Sequence, residues 1–141
     1  MSKIRIGRPL SDLDIVRRLT IVALALGTGC IHLTLGGLLF TLNGIGYLVG
    51  AVAMVIPLGT AVRYRWLIRI GLAGYAATTI AGWLIDPIFY STAYLAKAIE
   101  VALITLLAVD FARRDGNPLD RIRDEIHSLL TRPQGPASGR A

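Results

Sequence analysis

The sequence has almost no cysteine and, over a long central stretch, no charge. Cys30 is the single cysteine among 141 residues, which excludes an intrachain disulfide and every metal site built from several cysteines. No Lys, Arg, Asp or Glu occurs between Thr20 and Val62. A run of that length and apolarity is typical of a chain whose main solvent is lipid. The sequence therefore predicts an integral membrane protein with one domain.

Motifs for enzymatic chemistry are also missing from the sequence. It contains no nucleotide-binding glycine loop, no zinc-protease helix motif and no serine elbow. We therefore predict no enzymatic activity, no catalytic residue, no metal and no cofactor. The formal net charge of +6 does not indicate nucleic-acid binding. The basic residues cluster beside the apolar runs, where the positive-inside rule puts them.

Four segments are apolar enough to cross a bilayer, whose core of about 30 Å needs roughly 20 helical residues. Gly36 and Gly37 can take positive φ values and so provide a tight turn between the first two segments. Asp86 with Pro87 ends the third, and Ser91 with Thr92 supplies N-caps for the fourth. The predicted spans lie near 15–34, 38–57, 64–85 and 93–111. The expected fold is an all-α, four-helix membrane bundle.

Basic residues set the expected orientation of these spans. Five Lys or Arg lie before or near the start of the first span, three lie at the junction of the second and third, and six follow the fourth. The two opposite turns hold only Lys97. The positive-inside rule then puts both termini in the cytoplasm. We expect a cytoplasmic N-terminal arm over 1–14, a four-transmembrane-helix domain over 15–112, and a cytoplasmic amphipathic helix with a disordered tail over 113–141.

The expected C-terminal helix starts at Asn117 and Pro118, an N-cap followed by a first helical residue. Apolar residues then recur at helical spacing, at Leu119, Ile122, Ile126, Leu129 and Leu130. Its polar face mixes acidic and basic residues, so attraction to anionic lipid is expected to be weak. We expect this helix to pack under the bundle or against a partner.

Polar and ionisable side chains gather in the half of the predicted bundle that is remote from the termini. They are His32, Asn43, Asp86, Lys97 and Glu100. Ionisable residues in a membrane are costly, so they usually line a site or satisfy one another. In a structural interpretation, Glu100 pairs with Lys97, with Tyr47 or with Asn43 and clamps the fourth span to the second. In a functional interpretation, Glu100, His32 and Asp86 form an outward-facing pocket for a cation, a proton or a small polar ligand.

Small residues indicate where the helices approach one another. Gly46 and Gly50 share one face of the second span, and Gly74, Thr78 and Gly82 repeat the spacing on the third. Such faces let backbones come close in lipid. They serve either contacts within the bundle or a dimer seam.

Two other groups of side chains have simpler interpretations. One chain cannot hold a haem between two histidines, because His127, the only other histidine, is expected on the cytoplasmic side. A haem shared by two His32 side chains in a dimer is the arrangement that the sequence leaves open. Asp110 with Arg113 and Arg114 is expected to mark the end of the fourth span, in ion pairs of little energetic weight.

Three stretches together resemble a group of small uncharacterised four-helix bacterial membrane proteins. These stretches are IHLTLGGLLFTLNGIGYLVG, GYAATTIAGWLI and AYLAKAIEVALITLL, which contain LNGIGY, GYxxxTIxxW and KAIE segments in that order. The match covers about residues 31–110. The resemblance implies a bacterial cytoplasmic (inner) membrane protein, adds Tyr47 and Trp83 to the signature, and implies no activity.

Two functional hypotheses follow from these patterns. The first is a non-catalytic accessory or assembly subunit of a membrane complex, with a membrane-protein partner or a homo-oligomer besides the lipid bilayer. The second is a small oligomeric transporter, or an ion-binding or proton-binding membrane protein, that uses the polar residues around Glu100. No nucleic-acid partner is expected in either case.

Overall fold

The computed structural model describes residues 11–87, 89–114 and 116–131, and within these ranges it contains helices and no strand. The helices are α1 (Asp12–Thr34), α2 (Leu38–Val55), α3 (Gly59–Arg63), α4 (Arg65–Ile85), α5 (Ser91–Arg114) and α6 (Pro118–Leu130). Most of the predicted N-terminal arm and the tail predicted to be disordered lie outside the described residues.

α1 begins three residues before the predicted start of the first span because a capping box extends it. The Asp14 backbone N–H donates to Ser11 Oγ at 3.3 Å, and the Ser11 N–H donates to the Asp14 carboxylate at 3.2 Å. The turn to α2 uses Gly36 and Gly37 at φ values of 72° and 84°. The paired glycines therefore reverse the chain as predicted.

α2 ends at Val55, two residues before the predicted end of the second span. Ile56 has a ψ of 126°, the extended conformation that the ring of Pro57 imposes on the preceding residue. The short helix α3 was not predicted. At the C-terminal end of α4, Asp86 is no longer helical, because the ring of Pro87 restricts the conformation of the residue before it.

Four of the helices close into a ring. α1 packs against α2 and α5, and α4 packs against α5 and α2. The centre of the ring is filled by buried apolar side chains, namely Ile21, Ala25, Tyr47, Ala51, Met54, Leu72, Ala76, Leu103 and Leu107. This core fixes which polar side chains of the four helices meet.

Three helices, α1, α2 and α4, are long and apolar enough to cross a membrane. α5 has a similar length but interrupts its apolar sequence with Lys97, Glu100 and Asp110. The outer faces of the three helices carry exposed large apolar side chains such as Leu39 and Val49. Extended apolar surface of this kind is stable against lipid, so the chain is a helical membrane protein.

Close helix contacts occur at glycines of α1 and α2. A Cβ atom at Gly46 would clash with the Tyr75 ring, and one at Gly50 would lie 2.7 Å from Leu72 Cδ1. α2 and α4 are therefore in contact at Gly46 and Gly50, the two glycines of α2 that were expected to pack. Gly29 and Gly44, which were not predicted, bring α1 and α2 together, since a Cβ at Gly44 would lie 2.9 Å from the Gly29 carbonyl oxygen.

The small residues of α4 do not make such contacts within the described chain. A Cβ added at Gly74 or Gly82 would meet nothing within 4 Å, and Thr78 is exposed. The α4–α2 contact uses Leu72 and Tyr75 instead, because large side chains on α4 fill the space that glycines on α2 leave.

α6 does not pack under the bundle. Asn117 Oδ1 caps the helix by accepting from the Leu119 backbone N–H at 3.0 Å. The apolar side chains from Leu119 to Leu130 are between 41% and 80% exposed. Of the two sequence-based expectations, packing under the bundle is therefore wrong for the described chain, and packing against a partner stays a prediction. No described residue covers the apolar stripe of α6.

Candidate functional site

Glu100 lies in the middle of the ring of helices with a fully buried carboxylate. Its position one turn after Lys97 on α5 lets Lys97 Nζ donate to Glu100 Oε2 at 2.7 Å. Lys97 Nζ also donates to the Thr79 carbonyl oxygen of α4 at 3.1 Å. The ammonium therefore neutralises the carboxylate and joins α5 to α4.

The second oxygen of Glu100 faces α1. Thr28 Oγ1 donates to Glu100 Oε1 at 3.4 Å, and His32 Nε2 lies 3.6 Å from the same oxygen. His32 Nδ1 donates to the Thr28 carbonyl oxygen at 2.8 Å, because a carbonyl can only accept. His32 Nε2 is then the ring nitrogen that faces Glu100. We call Thr28, His32, Thr79, Lys97 and Glu100 the Glu100 cluster.

Tyr47 and Asn43 of α2 lie next to this cluster, and the Tyr47 side chain interacts with Glu100. The Tyr47 hydroxyl donates to Thr79 Oγ1 at 2.8 Å, since Thr79 uses its own proton on the Ala76 carbonyl. The Tyr75 hydroxyl donates to Asn43 Oδ1 at 3.2 Å. Glu100 therefore has a partner on α2 in Tyr47, as one of the expected pairings has it, and its partners Thr28 and Lys97 join α5 to α1 and α4 as well.

A cavity of about 330 Å³ opens beside the Glu100 cluster. α1, α2, α4 and α5 all contribute to its wall, and the volume falls within the size range of small-molecule sites. Its polar lining includes four of the five predicted site residues, His32, Asn43, Asp86 and Lys97. Glu100 is not part of the lining, but His32 and Lys97, which lie 3.6 and 2.7 Å from its carboxylate, are.

Aromatic rings make up much of the apolar wall of the cavity. They belong to Phe40, Tyr75, Trp83 and Tyr90. The Trp83 ring is held edge-on by Tyr94 at a centroid distance of 5.5 Å. Ring faces of this kind bind flat apolar groups and attract cations.

The charges around the cavity favour ligands that are not anionic. Lys97 is compensated by Glu100 at 2.7 Å. Asp86 is exposed beside the cavity at the end of α4 and forms no ion pair with a described residue. One uncompensated carboxylate therefore remains at the site.

A second polar cluster, at the opposite end of the bundle, was not predicted. Asp110 is 1% exposed, and its carboxylate lies 2.6 Å from Arg17 Nε, 2.6 Å from Arg69 Nε and 3.2 Å from Arg114 Nε. Asp14 adds contacts to Arg17 and Arg114 at 2.7 and 3.3 Å. We call these five residues the Asp110 cluster.

The Asp110 cluster corrects the expectation that Asp110 only marks the end of a span. Its arginines come from α1, α4 and α5, so the buried carboxylate fastens three helices. The Asp110 to Arg114 spacing of four residues was visible in the sequence. The partners on α1 and α4 were not, because only the tertiary fold brings them to Asp110.

His32 is not positioned to bind a haem at the protein surface. The imidazole is buried, its Nδ1 atom is hydrogen-bonded to Thr28, and Nε2 faces Glu100. The rings of Phe40 and Tyr47 lie 6.3 and 5.6 Å from it, centroid to centroid. Across the described ranges, no group of three or more His, Cys, Asp or Glu residues is placed to hold a metal ion.

Comparison with known protein families, with curated proteins and with solved structures gives no match. The resemblance to small four-helix bacterial membrane proteins stays a prediction.

Proposed function

We propose that this protein is a non-catalytic, four-span protein of the bacterial cytoplasmic membrane that binds a small amphipathic molecule in its outward-facing cavity. The observation that carries the proposal is the 330 Å³ cavity, walled by four helices and backed by the buried Glu100 cluster. Burying ionisable groups in a membrane protein is costly, and such groups commonly mark a ligand or ion pathway.

The lining residues define the ligand class. Trp83, Tyr75 and Phe40 provide flat apolar contact, while Asn43 and Lys97 provide hydrogen-bonding groups. Asp86 carries the uncompensated negative charge. The preferred ligand is therefore neutral or singly cationic, with an aromatic or aliphatic body. Transport would require an oligomer, because four helices leave space for only a narrow pathway.

Glycines on α4 provide a matched test of binding. Gly82 lines the cavity, whereas Gly71 lines neither described cavity, and a Cβ at either position meets nothing within 4 Å. Gly82→Leu should fill the cavity, and Gly71→Leu is the control. The measurement is thermal unfolding in mild detergent with a panel of size-matched neutral, cationic and anionic amphiphiles.

Neutral or cationic members of the panel should raise the Tm of the wild type and of Gly71→Leu saturably, and this rise should be lost in Gly82→Leu. Equal responses of the two variants, or preferential stabilisation by the anions, would contradict binding in this cavity.

The orientation rests on the distribution of basic residues. Phe89→Cys and Arg123→Cys, each in a Cys30→Ser background, report on opposite ends of the bundle. An impermeant maleimide added to intact cells should label position 89, and position 123 should react only after lysis. The reverse pattern would refute cytoplasmic termini.

A second candidate function is an accessory or assembly subunit of a membrane complex. It is favoured by an apolar groove of about 500 Å³ between α4 and α5, lined by the small residues Ala73, Gly74, Ala77, Ala108 and Ala112. Small residues let a neighbouring membrane helix approach closely. Gly74→Leu would block that approach.

Co-purification in mild detergent at native expression tests the subunit hypothesis. A stoichiometric membrane-protein partner should be recovered with the wild type and with Gly71→Leu, but not with Gly74→Leu. Recovery of the wild-type chain alone would refute this candidate.

A further inference from the structure

The apolar stripe of α6 lies outside the ring of helices and is exposed in the described chain. Leu119 is 71% exposed and Leu129 is 56% exposed, with Ile122 and Ile126 between them on the same face. Exposing an apolar stripe of this kind to water is unfavourable, so it marks a surface that contacts a membrane or another protein. Its position relative to the membrane identifies what covers it.

The linker from α5 holds the start of α6 close to the bundle. Residues 115–117 connect Arg114 to Pro118, and four backbone steps reach at most about 14 Å. α6 therefore starts within a short distance of the end of α5.

An ion pair holds the middle of α6 at the same end of the bundle. Arg63 Nη2 lies 3.0 Å from Glu125 Oε1. Arg63 is two residues before Arg65, where the membrane-spanning helix α4 begins, so Glu125 lies at the level where α4 leaves the apolar core. Pro118 and Glu125 are about 10 Å apart along the helix. Two attachments at that spacing keep α6 at the end of the bundle where α4 begins.

We propose that α6 is an interfacial helix whose apolar stripe is buried in the bilayer that α4 crosses, at the boundary between headgroups and acyl chains. The lipid is the apolar phase adjacent to both attachments. Between Pro118 and Leu130 the helix has three acidic and two basic residues, so its net charge gives no attraction to anionic lipid. Burial of apolar area in lipid holds α6 there. This position does not depend on whether the cavity beside the Glu100 cluster binds a ligand.

Spin labels on the full-length protein in liposomes test this position. The labelled variants are Ile126→Cys on the stripe and Ser128→Cys on the opposite face, each with Cys30→Ser to remove the only other thiol. The measurement is collision of each label with dissolved oxygen, which concentrates in lipid, and with a water-soluble nickel chelate. Liposomes of phosphatidylcholine are compared with liposomes containing phosphatidylglycerol.

The label at position 126 should collide mainly with oxygen and the label at position 128 mainly with nickel. The contrast should be the same in both lipids and at high salt. Equal nickel collision at both positions would overturn the proposal. A label at 126 shielded from both reagents, or broadened by a second label, would identify a protein partner or a second copy as the cover and would also overturn it.

A second pair of variants tests the attachment through Arg63. Glu125→Gln should increase the mobility of the label at position 126, whereas Asp124→Asn, on the same helix without an ion pair to a described residue, should not. Equal mobility of the two variants would show that the ion pair does not position α6.

Discussion

Arg17 Nε lies 2.6 Å from Asp110 Oδ1 and joins α1 to α5 across 93 positions of the chain. Both side chains are largely buried, so neither can recover hydration if the other is removed. The pair is the shortest connection between the first helix of the ring and the last.

Asp110→Asn should be the most destabilising single substitution at a polar residue. It removes the buried carboxylate that pairs with Arg17, Arg69 and Arg114, and breaking a buried ion pair costs about 3 to 5 kcal/mol. The free energy of unfolding is measured by titration with SDS in mixed micelles. Asp124→Asn on exposed α6 is the control, and similar stabilities of the two variants would contradict a fastening role for Asp110.

Lys97 and Glu100 should show strong energetic coupling. Lys97→Met leaves the Glu100 carboxylate buried without its ammonium, whereas the double variant Lys97→Met, Glu100→Gln removes both charges. The double variant should therefore be more stable than Lys97→Met alone in the same unfolding assay, and the coupling energy between the two positions should be about 0.5 to 3 kcal/mol. Additive losses in the double-mutant cycle would mean that the pair is exposed to water in solution.

Gly44→Ala should weaken the contact between α1 and α2. The new Cβ would lie 2.9 Å from the Gly29 carbonyl oxygen, and backbone atoms cannot turn away as a side chain can. Gly82→Ala adds the same methyl group where nothing lies within 4 Å and should be neutral or stabilising. The two melting temperatures are compared in the same detergent, and a Gly44→Ala protein as stable as Gly82→Ala would refute the close approach.

Gly37→Ala should destabilise the turn between α1 and α2. Gly37 has a φ of 84° and a ψ of 151°, a conformation that only glycine adopts readily, and it costs an alanine about 1 to 3 kcal/mol because the Cβ crowds the backbone. Gly27→Ala, inside α1 with open space around it, is the matched control. A loss of thermal stability confined to Gly37→Ala is expected, and equal Tm values would show that the turn rearranges.

The sequence predicted much of the local structure because its signals are local. The glycine turn, the end of α4 before Pro87 and the membrane character of three helices follow from residue types over a few positions. The early end of α2 was also encoded, in the restriction that Pro57 places on Ile56.

Long-range contacts were less accessible to sequence reasoning. The pairing of Lys97 with Glu100 was anticipated because both lie on one helix face. The partners of Asp110 on α1 and α4 were not, since no spacing relates them to α5. Likewise, the glycines of α4 match the spacing of those on α2, and only the packing distinguishes the two sets.

The placement of Lys97 and Glu100 on consecutive turns of α5 bears on how the chain enters the membrane during synthesis. Because the 2.7 Å ion pair forms within a single helix, α5 can neutralise these charges before it meets α1 or α4. The same holds for Asp110 and Arg114, four residues apart. The bonds from α5 to α1 and α4 would therefore form on a helix in which these opposite charges already compensate one another.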